Sequence, residues 1–219
     1  MNRLKAWANE WRPMSITGGA PFFPLLVLFG LNAVDELDRT AFAVLTPEIR
    51  DHFRLDIQGI LTVVTLTAFF TPFIGVTVAY FADRTKRVRL AVAGAAVWGL
   101  FSVATGFAPV LWVLALSRAF AGAGRTVNTP THNSLIADYY DVTVRPKVYG
   151  FHRVANSLGQ MVGPIIAGLL AVWFHWRVPF VVFAIPTLIF VVIGLRLKEP
   201  VRGAHERRAA GASAETEGT

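Results

Sequence analysis

Long apolar runs alternate with short polar stretches along this chain. The runs lie at roughly 24–46, 58–82, 90–107, 110–136, 148–174 and 178–196. A helix crosses an apolar layer of about 30 Å with about 17–25 residues, so each run predicts one crossing. The fold class expected is an all-α membrane protein of six transmembrane helices. Its expected divisions are a cytoplasmic N-terminal segment at 1–21, a six-helix transmembrane domain at 22–198 and, at 199–219, a disordered cytoplasmic tail or the start of a longer loop. The runs are not alike. Those at 90–107 and 178–196 are nearly bare of polar side chains, whereas the first, fourth and fifth carry charges or amides inside apolar sequence. Ionisable groups at membrane depth are costly and mark functional positions. The pattern thus separates packing helices from helices that carry chemistry.

Composition supports a membrane class. Hydrophobic residues make up 54% of the chain and charged residues 16%, against about 25% charged in ordinary soluble domains. The net charge of +7 raises the question of nucleic acid. The placement of the basic residues answers it, because they alternate with apolar runs instead of forming one patch. With the N-terminus placed in the cytoplasm, fourteen of the 21 Lys and Arg residues fall in cytoplasmic segments. Three fall on the opposite side (Arg50, Arg54 and Arg177) and four lie within the runs. That bias predicts both termini in the cytoplasm. The first run is too long for a signal-peptide core and carries charge, so it is read as a span. Residues 2–12 read equally as a short interfacial helix or a frayed tail. The segment from Pro200 to Thr219 has nothing to bury and is expected to be disordered.

The first run contains Asp35, Glu36, Asp38 and Arg39. Asp35 and Asp38 are three residues apart and Asp35 and Arg39 four, so a helix places them on one face. The alternative is that the cluster sits at headgroup level and ends the helix; apolar sequence continuing to Leu45 argues against that. In the fourth run Arg118 and Arg125 are seven residues apart, two turns, and share a stripe with Asn128. A buried Arg118 needs an acidic partner, and the first run supplies it; the alternative is an arginine that snorkels from a helix end. In the fifth run His152, Asn156, Gly159, Gln160 and Gly163 recur at spacings of three and four. Gly159 and Gly163 form a close-packing seam, and Pro164 is expected to loosen the helix there. Asn156 and Gln160 are candidate cavity-lining groups, and His152 is read as lying near the membrane surface, with a proton relay as the alternative. Asp83 and Arg84, with Arg87 close by, stand where the second run meets the cytoplasm. An acid among cations at a helix end points to a latch on a cytoplasmic gate.

These residues resemble a known family. The chain is similar to the N-terminal six-helix half of a major facilitator superfamily transporter. ADRTKRVRL at 82–90 resembles the loop 2–3 signature, with Asp83, Arg84 and Arg87 matching and Ala79 and Lys86 where glycines are usual. Arg118-x-x-x-Gly122-x-Gly124 resembles the fourth-helix motif associated with proton coupling. Gly159-x-x-x-Gly163-Pro164 resembles the fifth-helix motif commonest among exporters. Asp38-Arg39 matches a first-helix pair, and Trp176-Arg177 resembles the entry to helix six. Spinster-like members are nearest in texture; they often carry a carboxylate where Arg125 stands.

The resemblance implies a secondary active transporter, or half of one, moving a small organic solute with protons through the bilayer. Asp38 is the expected protonatable group and Arg118 its partner, with Asp35, Arg39 and Arg125 around them. A second six-helix half or a same-orientation homodimer partner would complete the pathway. No cofactor, metal or nucleic-acid partner is expected. The alternative is a non-transporting accessory or interaction subunit. An enzyme is disfavoured, because there is no Cys and the five His are scattered.

Overall fold

The computed structural model describes residues 12–65, 68–69 and 85–209, and these are helical with no strand among them. In chain order the helices are α1 (Pro13–Thr17), α2 (Phe23–Val44), α3 (Thr46–His52), α4 (Arg87–Gly106), α5 (Leu111–Thr126), α6 (Asn128–Tyr139), α7 (Arg145–Trp173), α8 (Val178–Gly194) and α9 (Ala204–Ala209). A further helical stretch occupies 57–65.

Local sequence explains the boundaries. Gly18, at φ 61, ends α1 in the left-handed conformation, which costs glycine least. Pro47 stands in the first turn of α3, where its missing N–H is not needed. The fourth run was expected to be one span at 110–136, but it is two helices meeting at Val127. Pro130 has no N–H to donate to the Thr126 carbonyl, so the ladder is interrupted there. Pro164 has the opposite outcome: α7 runs unbroken through it over 29 residues. Its neighbour Gly163 is clamped against α2, and that packing holds the helix where the backbone bond is lost.

The helices cross at small residues. A Cβ on Gly159 would lie 2.5 Å from Glu36 Cβ and 2.8 Å from the Ala33 carbonyl oxygen, and Gly163 faces Leu37 and Thr40. Gly94 and Gly124 bring α4 and α5 together, each within reach of the other's carbonyl oxygen. Gly99 and Gly106 seat α8 through Thr187 and Val181.

These registers fix directions. Positions rise together on α2 and α7, so those two helices are parallel. Asp38 meeting Arg118 and Asp35 meeting Asn128 make α2 and α5–α6 antiparallel. Gly106 near Arg177 and Gly194 near Val92 make α4 and α8 antiparallel.

The bundle therefore has two ends. At one, Arg177 bonds the Ala108 carbonyl and α3 carries His52 against Trp176. At the other, Arg87 meets Asp138 and Glu199.

The core has three apolar clusters along the axis, centred on Phe180 and Leu114, on Trp98 and Leu31, and on Tyr140 and Leu28. By length and apolarity α4 and α7 suffice to cross a membrane, and α8 is apolar but shorter, at 17 residues. Helix α2 is long enough and carries four charges. The predicted interfacial segment at 2–12 and most of the second run fall outside the described residues.

The expectation of a disordered segment from Pro200 fails for its described part. Glu199 accepts hydrogen bonds from the Arg87 and Val88 backbone N–H groups, capping α4. The Gly203 N–H binds Asp138, and α9 follows with Glu206 on Arg145. Open helix-end N–H groups supply the partners that burial does not.

Candidate functional site

The first run's acids enter the bundle because α2 is wrapped by α5–α6, α7 and α8. Asp38 is fully buried. Its carboxylate accepts a hydrogen bond from Arg118 Nη1 at 3.0 Å and closer ones from Arg125 Nη2 and Ser102 Oγ. One turn away, Asp35 Oδ1 lies 2.6 Å from Arg125 Nε in an ion pair that lacks hydrogen-bond alignment. Asn128 Nδ2 donates to Asp35 Oδ2 at 3.3 Å. Arg125 therefore bridges two carboxylates. Arg118 has one carboxylate and completes its surroundings with the Phe42 and Phe180 rings, at 4.5 and 5.5 Å. Trp98 lies under Arg125 at 5.5 Å. Guanidinium groups tolerate such faces because they are planar and weakly hydrated.

Arg39 does not join this group. Its side chain is 62% exposed and pairs with Glu36 on the same helix at 2.8 Å. Sequence spacing placed it with Asp35, but three residues bring it to Glu36 first. Glu36 Oε1 also accepts from Gln160 Nε2 at 2.7 Å, and Asn32 donates to Asn156 Oδ1 at 2.7 Å. The amides of α7 thus bind across the α2 seam beside Gly159 and Gly163.

Asp83 and Arg84 lie outside the described residues. Arg87 is buried at the start of α4. It donates to Ser134 Oγ at 2.8 Å, Glu199 Oε1 at 3.1 Å, the Pro200 carbonyl at 3.1 Å, and Asp138. Outside the spans, burial pushes the Tyr140 hydroxyl well above its ordinary value, so it stays neutral while linking the Pro21 carbonyl to the Leu25 N–H.

His152 is buried between helices, and its Nε2 lies 3.3 Å from Nδ1 of fully buried His132 on α6. The signal was present in the sequence, because His152 continues the buried stripe of Ala155, Gly159 and Gly163.

A parallel-and-antiparallel helical bundle with ion pairs sealed inside it fits a polytopic membrane protein. The Major Facilitator Superfamily model matches residues 28–217, and the chain belongs to that superfamily of membrane transporters. It is 27% identical over 208 residues to Protein spinster homolog 1 of Homo sapiens, which covers 89% of this chain and 38% of the relative. It is 30% identical over 179 residues to the lincomycin resistance protein of Streptomyces lincolnensis, covering 80% and 36%. The hexuronate transporter of Bacillus subtilis is 29% identical over 175 residues, covering 77% and 40%. Among solved structures, an inward-facing, occupied bacterial homolog of the human lysosomal transporter spinster superposes with a TM-score of 0.70 at 25% identity. That match covers 86% of this chain and 47% of the other. The chain spans well under half the length of the curated relatives it matches.

Proposed function

We propose that this chain forms the N-terminal six-helix half of a secondary active transporter that couples movement of a small organic solute to protons. The observation that carries this is Asp38, a fully buried carboxylate shared by two guanidinium groups from one helix. Within the span Asp35, Glu36 and Asp38 balance Arg39, Arg118 and Arg125. One proton on Asp38 removes one negative charge and leaves a buried guanidinium in excess. Buried unpaired charge is strongly unfavourable, so Arg118 or Arg125 must take another acceptor, either through helix rearrangement or from a solute. Protonation and solute binding are linked by that requirement.

His52 and Arg87 stand at opposite ends of the bundle, and the second apolar run of the sequence lies between them. The charge bias sets the Arg87 end in the cytoplasm, with both termini, in a cell's inner membrane. There Asp83, Arg84 and Arg87 form the gate, with Arg87 held to Asp138 and Glu199. Asn128, Asn156 and Gln160 line the solute path, and Gly159, Gly163 and Pro164 fit α7 to α2. A second six-helix half, or a second copy in the same orientation, supplies the opposite wall; transporters of this kind bind solute between halves. Relatives named for hexuronate and for lincomycin support a small organic solute.

The test is proton movement in proteoliposomes holding an internal pH dye, with the chain reconstituted alone and as a tandem of two copies. Glucuronate and lincomycin are the solutes offered. The reading expects solute-driven proton flux that Asp38→Asn abolishes. Flux that persists in Asp38→Asn contradicts it, and solute binding without flux in any assembly favours the accessory role.

A further inference from the structure

The charge cluster leaves a second set of buried polar groups unused. His132 and His152 share one N···N contact of 3.3 Å, their rings nearly perpendicular at 81°. Their outer nitrogens, His132 Nε2 and His152 Nδ1, are buried without an aligned hydrogen-bond partner, the Leu28 backbone being a polar group near His152. Asn128 Oδ1, four residues before His132 on α6, is also buried and unpartnered, while its Nδ2 binds Asp35. Four residues on a helix advance about 6 Å, the span of two hydrogen bonds through one water. Buried waters settle between polar groups that lack other partners. Asp35, Asn128, His132 and His152 thus form a single file from the carboxylate cluster toward the Arg145 end of α7. His152 stands seven residues, about 10 Å, into that helix.

We infer that the His132–His152 pair is a proton relay between Asp35 and the Arg145 end of the bundle, with Asn128 positioning its first link. It rests on the proton-coupled reading above, extended from Asp38 to Asp35, which shares Arg125 with it. A proton leaving the Asp35 carboxyl passes over a water held by Asn128 Oδ1 to His132 Nε2. His132 then gives its Nδ1 proton to His152 Nε2, and His152 releases its own Nδ1 proton. Each ring gains one proton and loses one, so neither stays charged, and the opposite tautomers return when each ring turns over about its Cβ–Cγ bond. Neutral imidazoles suit this task because each presents one donor and one acceptor nitrogen. The charged groups on the surrounding elements are Asp35 and Glu36 on α2, Arg125 at the end of α5, and Arg153 beside His152 on α7. On α4 and the far end of α6, Arg87 and Asp138 engage each other. A buried ion without a counter-charge is costly, so a ring that passes its proton on is favoured over one that stores it.

The experiment follows carboxyl protonation in the reconstituted full chain after a pH jump, by time-resolved infrared absorption of the carboxyl C=O stretch. His132→Gln and His152→Gln should each slow protonation by about a hundredfold, the scale of a positioned proton-transfer group, and leave its end point unchanged. Unchanged rates in both variants overturn the relay while leaving proton coupling intact. Carboxyls that never titrate in the wild type overturn the coupling itself and the relay with it. Independently of folding of those variants, nitrogen NMR of the histidine-labelled wild type should show one proton shared between two neutral rings, perturbed by Asp35→Asn. Two rings sharing no proton overturn the proposal.

Discussion

Two carboxylate–guanidinium clusters sit in this molecule, one between α2 and α5 and one at the start of α4, and they are built in opposite senses. Around Asp38 the acid is oversubscribed: a single carboxylate receives two arginines and a serine. Around Arg87 the base is oversubscribed: one guanidinium donates to two carboxylates, a hydroxyl and a backbone carbonyl. An arginine with four acceptors has little to gain by moving, and two of them, Glu199 and the Pro200 carbonyl, tie it to backbone beyond α8. Arginines competing for one carboxylate have alternatives, because Asp35 already holds Arg125 by its other side. The Arg87 arrangement is a fastening, and on the proposed function the Asp38 arrangement is the switch. Burial alone does not separate them, since both arginines at issue, Arg87 and Arg118, are 5% exposed. The number of partners per charge does.

The largest expected effect breaks the switch. Asp38→Ala leaves two buried guanidiniums without their shared acceptor and should lower stability in detergent by about 3–5 kcal/mol, read as a drop in Tm. Arg118→Ala should lose less, because Arg125 still satisfies Asp38. Equal losses would mean that Arg125 does not share the acid.

The fastening should yield more gently. Glu199→Ala removes the acceptor of the Arg87 side chain and of two backbone N–H groups, worth about 1.5–3 kcal/mol for bonds to a charged group. Its distinctive sign is local: limited proteolysis should open the chain at 200–209 before the bundle melts. Cleavage there at the wild-type rate would contradict the capping role.

Gly159→Ala sharpens the comparison from the side. A methyl there meets Glu36 Cβ at 2.5 Å and forces α2 and α7 apart. Overpacking of this kind costs about 1–3 kcal/mol. It should disturb the Asp35–Asp38 face and leave proteolysis of 200–209 unchanged.

The smallest effect is one of pH. The Glu206 carboxyl is held below its ordinary value of 4.5, first by its hydrogen bond with Arg145. A lowered acid stabilises fully above that value and stops doing so as pH falls through the lower folded one. Acidification below pH 4.5 should therefore loosen α9, seen as faster amide exchange over 204–208. Exchange that slows on acidification beyond the intrinsic pH trend would contradict the pairing.

Much of this was legible in the residues. Seven-residue spacing puts Arg118 and Arg125 on one stripe, and three-residue spacing does the same for Asp35 and Asp38. The glycine pair on α7 announced a close crossing. The choice of acceptor was not legible, because Asp35 and Asp38 are one turn apart and either satisfies the spacing. Arg39 went to Glu36, an exchange that only the rotation of α2 against α7 decides. The histidine pair depends on the register between α6 and α7, two helices joined by a turn whose geometry the spacing within each helix does not encode. The break at Val127 was foreseeable from Pro130, whereas the unbroken path through Pro164 follows from packing that no single helix carries. Glu199 as a cap required knowing that the chain beyond α8 returns to the start of α4.

The central claim is that Asp38 is shared by Arg118 and Arg125 and that its charge governs both. A double-mutant cycle on thermal stability in detergent tests it most directly, with Asp38→Ala combined in turn with Arg118→Ala and Arg125→Ala. The account predicts that Asp38→Ala with Arg118→Ala recovers a large part of the loss seen in Asp38→Ala alone, because Arg125 keeps Asp35, whereas Asp38→Ala with Arg125→Ala recovers less, because Arg118 is left without a carboxylate. Strictly additive losses in both cycles would contradict it.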